Sequence, residues 1–347
     1  MTLIDIKSLS YEKVLETVQD MGEKAFRGKQ LYEWMHGKLA ASYDEMTNLP
    51  KSFRDKLKEQ TVYTSLDIVE VLTSRIDGTQ KYLFRLADGH VIESVLMKYK
   101  HGNSVCVSSQ VGCRMGCRFC ASTLGGLNRN LTTGEILDQI YRIQVHSGER
   151  VSNVVIMGTG EPLDNYDNVL GFLHGISDEY GLNISQRNIT LSTCGLVPRI
   201  HDLAGEHLQI TLALSLHAPN DEKRRALMPI ANKYELKDVL AACQEYYDKT
   251  GRRLTFEYSL VGGQNDSEED AAQLNSLIHG MNCHVNLIPV NPIKERDFVQ
   301  SNKKVIDKFK NKLEKYGINV TIRREMGRDI HGACGQLRQS YLESETT

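Results

Sequence analysis

The chain lacks any run approaching eighteen consecutive apolar residues, so nothing in it reads as a membrane-spanning helix. Its N-terminus, MTLIDIKSLSYEKVLETV, lacks the basic-then-apolar pattern and the cleavage site of a secretory signal. A cytoplasmic, reducing environment is therefore expected. Neither charge is in excess: 42 Lys and Arg stand against 44 Asp and Glu, a formal net charge of −2. Global electrostatics give no sign of nucleic-acid binding, and a local basic face stays compatible with that balance. There is no short-period repeat and no low-complexity segment. With 40% apolar and 25% charged residues among 347, the chain is neither disordered, nor collagen-like, nor a disulfide miniprotein. That length implies one large domain, or a large domain with a small one.

Residues 1–92 read as a small helical domain ending in a β-hairpin. Helical patterns occupy 10–20, 25–39 and about 50–60. TQKYLFRL and VIESVLM then flank Ala87-Asp88-Gly89-His90, a hairpin turn signal. From about residue 103 strands and helices alternate. Strands are expected at 104–109, 153–157, 188–192, 209–215, 254–259, 284–288 and 319–323. Helices are expected at 133–147, 166–178, 197–205, 235–250, 268–279 and 302–316. Thr132-x-x-Glu135 is a capping box, and Ser267 and Ser301 can cap later helices. The alternation predicts an α/β fold with a parallel sheet, an open or partial (β/α)6 barrel. Ligands of such sheets collect at the C-terminal strand ends.

What the sequence does have is cysteine. Four of the eight fall within fifteen residues, and Cys113-Arg-Met-Gly-Cys117-Arg-Phe-Cys120 is a C-x3-C-x2-C loop just after the first barrel strand. Three thiolates on one short loop can each bind one iron of a cubane cluster, leaving the fourth iron open to a small molecule. The competing reading is a zinc site, which wants four ligands and paired spacing. The next upstream cysteine, Cys106, lies in the strand and does not extend the loop, and His101 would serve only awkwardly from a strand start.

The C-x3-C-x2-C loop after the first strand of a partial barrel resembles the signature of radical S-adenosylmethionine (SAM) enzymes. VCVSSQVGCRMGCRFCASTLGGLNRNL at 105–131, VVIMGTGEPLDN at 154–165, LSLHAPND at 214–221, HVNLIPVNP at 284–292 and HGACGQLR at 331–338 narrow the match. Together they are similar to the RlmN/Cfr family of RNA adenosine methyltransferases over nearly the whole chain. The resemblance implies a radical SAM barrel over 93–330 and a catalytic C-terminal tail over 331–347. The 1–92 domain would then contact RNA.

It also implies roles. Cys113, Cys117 and Cys120 would hold a [4Fe–4S] cluster. Gly160 and Glu161 would bind the SAM amino group, with Ser192, Ser215, Leu216, His217 and Asn291 as further SAM contacts. Cys334 would be the methylated cysteine, Cys106 the second catalytic cysteine and Glu93 the proton acceptor. An adenine C–H is too weak a nucleophile to take a methyl group from SAM, whereas a thiolate is not. In the family, Cys334 is methylated by one SAM. A second SAM yields a 5′-deoxyadenosyl radical that takes a hydrogen from that methyl group. The carbon radical adds to adenine, and Cys106 then attacks the Cys334 sulfur, forming a disulfide and freeing the base. Two SAM are used per turnover.

The implied substrates are 23S rRNA, at C2 of an adenosine in the peptidyl-transferase region, and tRNA, at the adenosine 3′ of the anticodon. The implied electron donor is a flavodoxin or ferredoxin, and a monomer is expected. Glu161-Pro162-Leu163 resembles the C2-methylating branch, with Cfr-type C8 methylation as the alternative. A non-catalytic, zinc-containing RNA-binding protein is the alternative from another class. Thr159, Cys194 and His331-Gly332 depart from the commonest family spelling. Residues 300–338 carry ten Lys or Arg against four Asp or Glu, and with Lys223-Arg224-Arg225 they are the expected phosphate-contacting groups.

Overall fold

The computed structural model describes residues 3–100, 102–293, 295–333 and 335–337. The chain opens with a helical unit, α1 (Tyr11–Asp20), α2 (Ala25–Tyr32) and α3 (Lys51–Gln60). Ser10 caps α1 by accepting from the Lys13 N–H. The expected helix over 25–39 is broken, because α2 passes into a π-helical turn at Glu33–Gly37. Ile6, Val14, Leu31, Met35, Phe53 and Leu57 form a core of the unit's own.

That unit is tied to the rest by charge buried on both sides. Lys7 Nζ lies 2.7 Å from Asp138 Oδ1, and neither side chain is exposed at all. The second carboxylate oxygen accepts the Leu66 N–H at 2.7 Å. Asp138 sits on α4 (Thr133–Ser147), whose capping box forms as expected: Thr132 takes the Glu135 N–H and Glu135 takes the Thr132 N–H.

Ten strands then make one sheet: β1 (Asp67–Thr73), β2 (Gln80–Arg85), β3 (Val91–Tyr99), β4 (Gly102–Cys106), β5 (Val151–Ile156), β6 (Ile189–Thr193), β7 (Thr211–Ser215), β8 (Leu254–Leu260), β9 (Cys283–Pro289) and β10 (Asn319–Ile322). Their spatial order is their chain order. The first four are antiparallel, and β4 to β10 are parallel, each beside the next. Crossovers carry α4, α5 (Tyr166–Ser177), α6 (Val197–Gly205), α7 (Asp221–Leu227), α8 (Leu236–Thr250), α9 (Glu268–Ile278) and α10 (Lys303–Lys315). Apolar strand residues such as Val105, Val154, Leu191, Leu212, Phe256 and Leu287 pack into the main core with those helices.

All seven expected parallel strands are present, within two residues at most ends. Strand β1 had not been expected. It prolongs the hairpin, so the sheet runs unbroken from hairpin to barrel and the 92/93 division falls inside β3. Among the described residues no helix is long and apolar enough to cross a membrane.

Candidate active site

A cleft opens at the C-terminal ends of the parallel strands, where ligands of such sheets bind. The cysteine loop forms one wall. A short hairpin, Gln110–Gly112 against Leu127–Asn130, closes the base of that loop and presents Cys113, Cys117 and Cys120 to the cleft. Burial pushes the Cys113 thiol up to about 12 and the Cys117 thiol well above its ordinary range, and neighbouring thiolates push the same way. The bare protein thus disfavours the anionic form of these sulfurs. The three sulfurs line one cleft from one short loop, the donor set of a thiolate-bound cluster, whose iron would supply the positive charge that favours their anionic form.

Opposite them stands the turn after β5. Gly160 has φ +111°, and a Cβ there would lie 2.7 Å from Gln110 Cβ and from Ser109 Oγ, so the backbone passes where no other residue fits. Gln110 Oε1 accepts the Glu161 N–H at 2.8 Å. The Glu161 carboxylate is buried, and burial raises its pKa. It is held by three donors: Thr193 Oγ1 at 2.7 Å, the Cys194 N–H at 2.8 Å and the Leu163 N–H at 3.1 Å. A buried carboxylate fixed in this way suits a ligand ammonium group.

Ser192 and Ser215, at the ends of β6 and β7, line the cleft with hydroxyls 3.4 Å apart. Asn291 lines it just past β9. His217 lines it too, in a left-handed conformation (φ +57°) that Asn265 secures by donating to the His217 carbonyl at 2.7 Å. Its Nδ1 accepts the Ser259 N–H at 2.9 Å. Burial, with Arg224 nearby, lowers its pKa to about 3, so the ring is neutral. Leu216 does not join this group. Its side chain is fully buried in the main core, because successive residues at the strand end point to opposite faces and Ser215 takes the cleft side.

Cys106 and Glu93 lie beside the main cleft rather than in it. Cys106, at the end of β4, lines a second cleft that shares Met157, Ile288, Asn291, Arg323 and Leu337 with the first. Glu93, in β3, is buried and forms an ion pair with Lys81 at 3.3 Å. It lines a third cleft behind Ala121 and Ser122. Cys334 lies outside the described residues, while its neighbours Ala333 and Gly335 line the second and first clefts respectively.

The family model of the radical SAM superfamily matches residues 107–274, and that of the ribosomal RNA large subunit methyltransferase N-terminal domain matches residues 4–62. The chain is 64% identical over 98% of its length, and 97% of the relative's, to a probable dual-specificity RNA methyltransferase RlmN of Lachnospira eligens. It belongs to the RlmN family of radical SAM RNA methyltransferases. The RlmN relative of Lachnoclostridium phytofermentans is 63% identical over 98% of this chain and 96% of its own. A radical SAM methyltransferase from Sphaerobacter thermophilus has the same fold, with a TM-score of 0.93, 43% identity and coverage of 97% and 99%. Membership in the RlmN family implies an RNA substrate, SAM and a [4Fe–4S] cluster, and it sets aside the non-catalytic zinc protein.

Two features of this RlmN-family site, at Arg224 and at Glu257, had not been expected from the sequence. Arg224 is no phosphate ligand. It is fully buried behind the cleft, where Nη2 donates to the Cys194 and Ser215 carbonyls at 2.7 and 3.3 Å. Its neighbour Lys223 pairs with Asp270. Cys194 lines the cleft beside Glu161. Glu257, buried in β8, faces Arg323 at 3.6 Å and two hydrogen bonds from Asn286. The polar alternation Thr255, Glu257, Ser259 within an apolar strand was the available signal for the last.

Proposed function

We propose that this chain methylates C2 of adenosine in 23S rRNA, in the peptidyl-transferase region, and of the adenosine 3′ of the anticodon in tRNA. The observation that carries the reading is the convergence of three cysteines, the Gly160–Glu161 turn and strand-end residues Ser192, Ser215, His217 and Asn291 on one cleft. The dual-specificity name of the relatives supports both substrates. When bound by Cys113, Cys117 and Cys120, a [4Fe–4S] cluster supplies the electron that cleaves SAM.

The protein's own groups do the rest. Glu161 and the Gly160 backbone orient the SAM amino group, and His217 and Asn291 line its path. Cys334 accepts a methyl group and carries it to the base. Glu93 takes the ring proton. The Cys106 thiolate attacks the Cys334 sulfur; the S–S bond forms as the S–C bond to the methylated base breaks. Supporting this division of labour, the clefts of Cys106 and of the three cysteines share a wall that includes Leu337 of the tail.

Nucleoside mass spectrometry tests the proposal. Anaerobically reconstituted protein, SAM and a reductant should convert an unmodified 23S fragment to 2-methyladenosine. Appearance of 8-methyladenosine instead would place the chain with the Cfr-type reaction. The Cys106→Ala variant should accumulate a covalent protein–RNA adduct, and normal turnover by it removes the resolving role.

A further inference from the structure

The tail approaching residue 334 is fastened at two distant places. One is the turn between β1 and β2. There Ser74 Oγ donates to Asp329 Oδ1 at 2.6 Å, and the Arg75 N–H donates to Asp329 Oδ2 at 2.9 Å, 255 and 254 positions apart in sequence. The exchange is reciprocal. Asp77 Oδ2 accepts the Gly327 N–H at 3.0 Å while its Oδ1 accepts the Thr79 N–H, also at 3.0 Å. Ser74 Oγ accepts the N–H groups of Ile76 and Asp77, which leaves its proton for Asp329. The Ser74 hydroxyl and the Arg75 N–H hold Asp329 below the usual carboxylate range. The Thr79 and Gly327 N–H groups do so for Asp77, against its burial. Both are therefore ionised acceptors at neutral pH. Gly327 has φ +64°, and a Cβ on it would lie 3.0 Å from Thr79 Cγ2, so the turn seats this backbone closely.

The other fastening is the turn Ala121–Thr123, immediately after Cys120. The Ala121 N–H donates to the Gly335 carbonyl at 2.9 Å, and Ser122 Oγ donates to that of Leu337 at 2.9 Å. Between the two fastenings the Gly332 N–H returns to the Gly327 carbonyl at 2.9 Å, and His331 takes a left-handed φ of +49°. Beyond them Leu337 is buried with Val95, Met97, Cys106 and Met326.

We infer that the β1–β2 turn is the fixed pivot of the catalytic tail, with Asp329 and Asp77 as positioning residues that hold the segment after Gly327 across the clefts. The inference rests on the reading of Cys334 as the methyl carrier. A thiol that must meet SAM, the base and Cys106 in succession has to move at one end while its other end stays put. The cluster-side fastening uses two hydrogen bonds to backbone carbonyls and can exchange. The hairpin-side fastening uses two carboxylates and is the firmer of the two.

The test compares Asp329→Ala with Asp329→Asn in the full, cluster-reconstituted protein. The amide oxygen can still accept one of the two donors, the Ser74 hydroxyl or the Arg75 N–H, whereas alanine accepts neither. Asp329→Ala should lower kcat for RNA methylation by about 10- to 100-fold, the usual cost of a misplaced reacting group. KM for SAM should not change, 5′-deoxyadenosine formation should fall with methylation because its hydrogen comes from the methyl group on Cys334, and Asp329→Asn should restore part of kcat. Hydrogen exchange over 119–124 should quicken in Asp329→Ala alone, as Ala121 loses its partner. Wild-type methylation by Asp329→Ala overturns the pivot, and so does a raised KM for SAM. The Cys334→Ala variant separates the two ideas. Methylation that survives it overturns the tail-thiol reading itself, and its loss beside an unimpaired Asp329→Ala overturns the pivot alone.

Discussion

Replacing Arg224 by Met should loosen the back wall of the SAM cleft. The guanidinium is fully buried and joins three carbonyls from two strand ends: Cys194 at 2.7 Å and Ser215 at 3.3 Å through Nη2, and Leu216 at 3.3 Å through Nε. Each charge-assisted hydrogen bond contributes about 1.5–3 kcal/mol. Part of their loss is offset because the variant no longer buries a cation, which leaves roughly 2–5 kcal/mol of destabilisation. Unfolding entropy of about 2.1 cal/mol/K per residue turns that into a fall in Tm of about 3–7 °C for a chain of this length. Calorimetry of the anaerobic protein would show it. The ends of β6 and β7 carry Ser192, Cys194 and Ser215, so SAM affinity should fall as well, by about tenfold for each 1.4 kcal/mol that the shifted strand ends remove. Arg224→Lys should fall between, because one ammonium cannot span three carbonyls. A Tm within about 1 °C of the wild type, equivalent to about 0.7 kcal/mol, together with unchanged SAM affinity would rule this out.

Other consequences are as direct. Gly160→Ala places a Cβ 2.7 Å from Gln110 in a conformation that L residues resist, so KM for SAM should rise about tenfold or more with the protein still folded, measured by initial rates. His36 is buried with its pKa lowered from 6.5 to about 3. The unfolded chain therefore takes up a proton below pH 6.5 that the folded one refuses, and stability is lost as pH falls from about 7 towards 3. Between pH 7 and 5.5 this amounts to about 1 kcal/mol, and urea unfolding of His36→Phe should show that much less pH dependence. Lys7→Met leaves Asp138 with the Leu66 N–H and with Arg142 at 3.6 Å and should cost up to about 3 kcal/mol in equilibrium unfolding, part of which Lys7→Met with Asp138→Asn should recover, because the amide oxygen still accepts the Leu66 N–H.

The parallel strands were legible because each is a run of four to seven residues with at least two apolar side chains, set off from its neighbours by helical stretches, which is the alternation of a parallel sheet. The cysteine loop and the glycine turn were legible as chemistry, since their spacing is local. Arg224 was not, because a Lys-Arg-Arg run looks the same whether a helix turns it outward or inward; only the packing of α7 behind the cleft decides. Lys7 and Asp138 are 131 positions apart, and nothing in either neighbourhood marks a buried pair. The same holds for Asp329 and Ser74. Strand β1 was overlooked because both its faces are partly exposed, so its apolar alternation is weak.

Strand order equal to chain order has a consequence for synthesis. Each strand leaving the ribosome finds its neighbour already made, so the sheet can grow by addition at one edge, in the N-to-C direction in which domains assemble during translation. The cysteine loop is enclosed part-way through that process. The segment after Gly327 emerges once all ten strands have been made, and its anchor on Ser74 and Arg75 has by then been waiting for some 250 residues of elongation. On the role proposed for Cys334, its thiol is made only after the strands whose ends line the clefts.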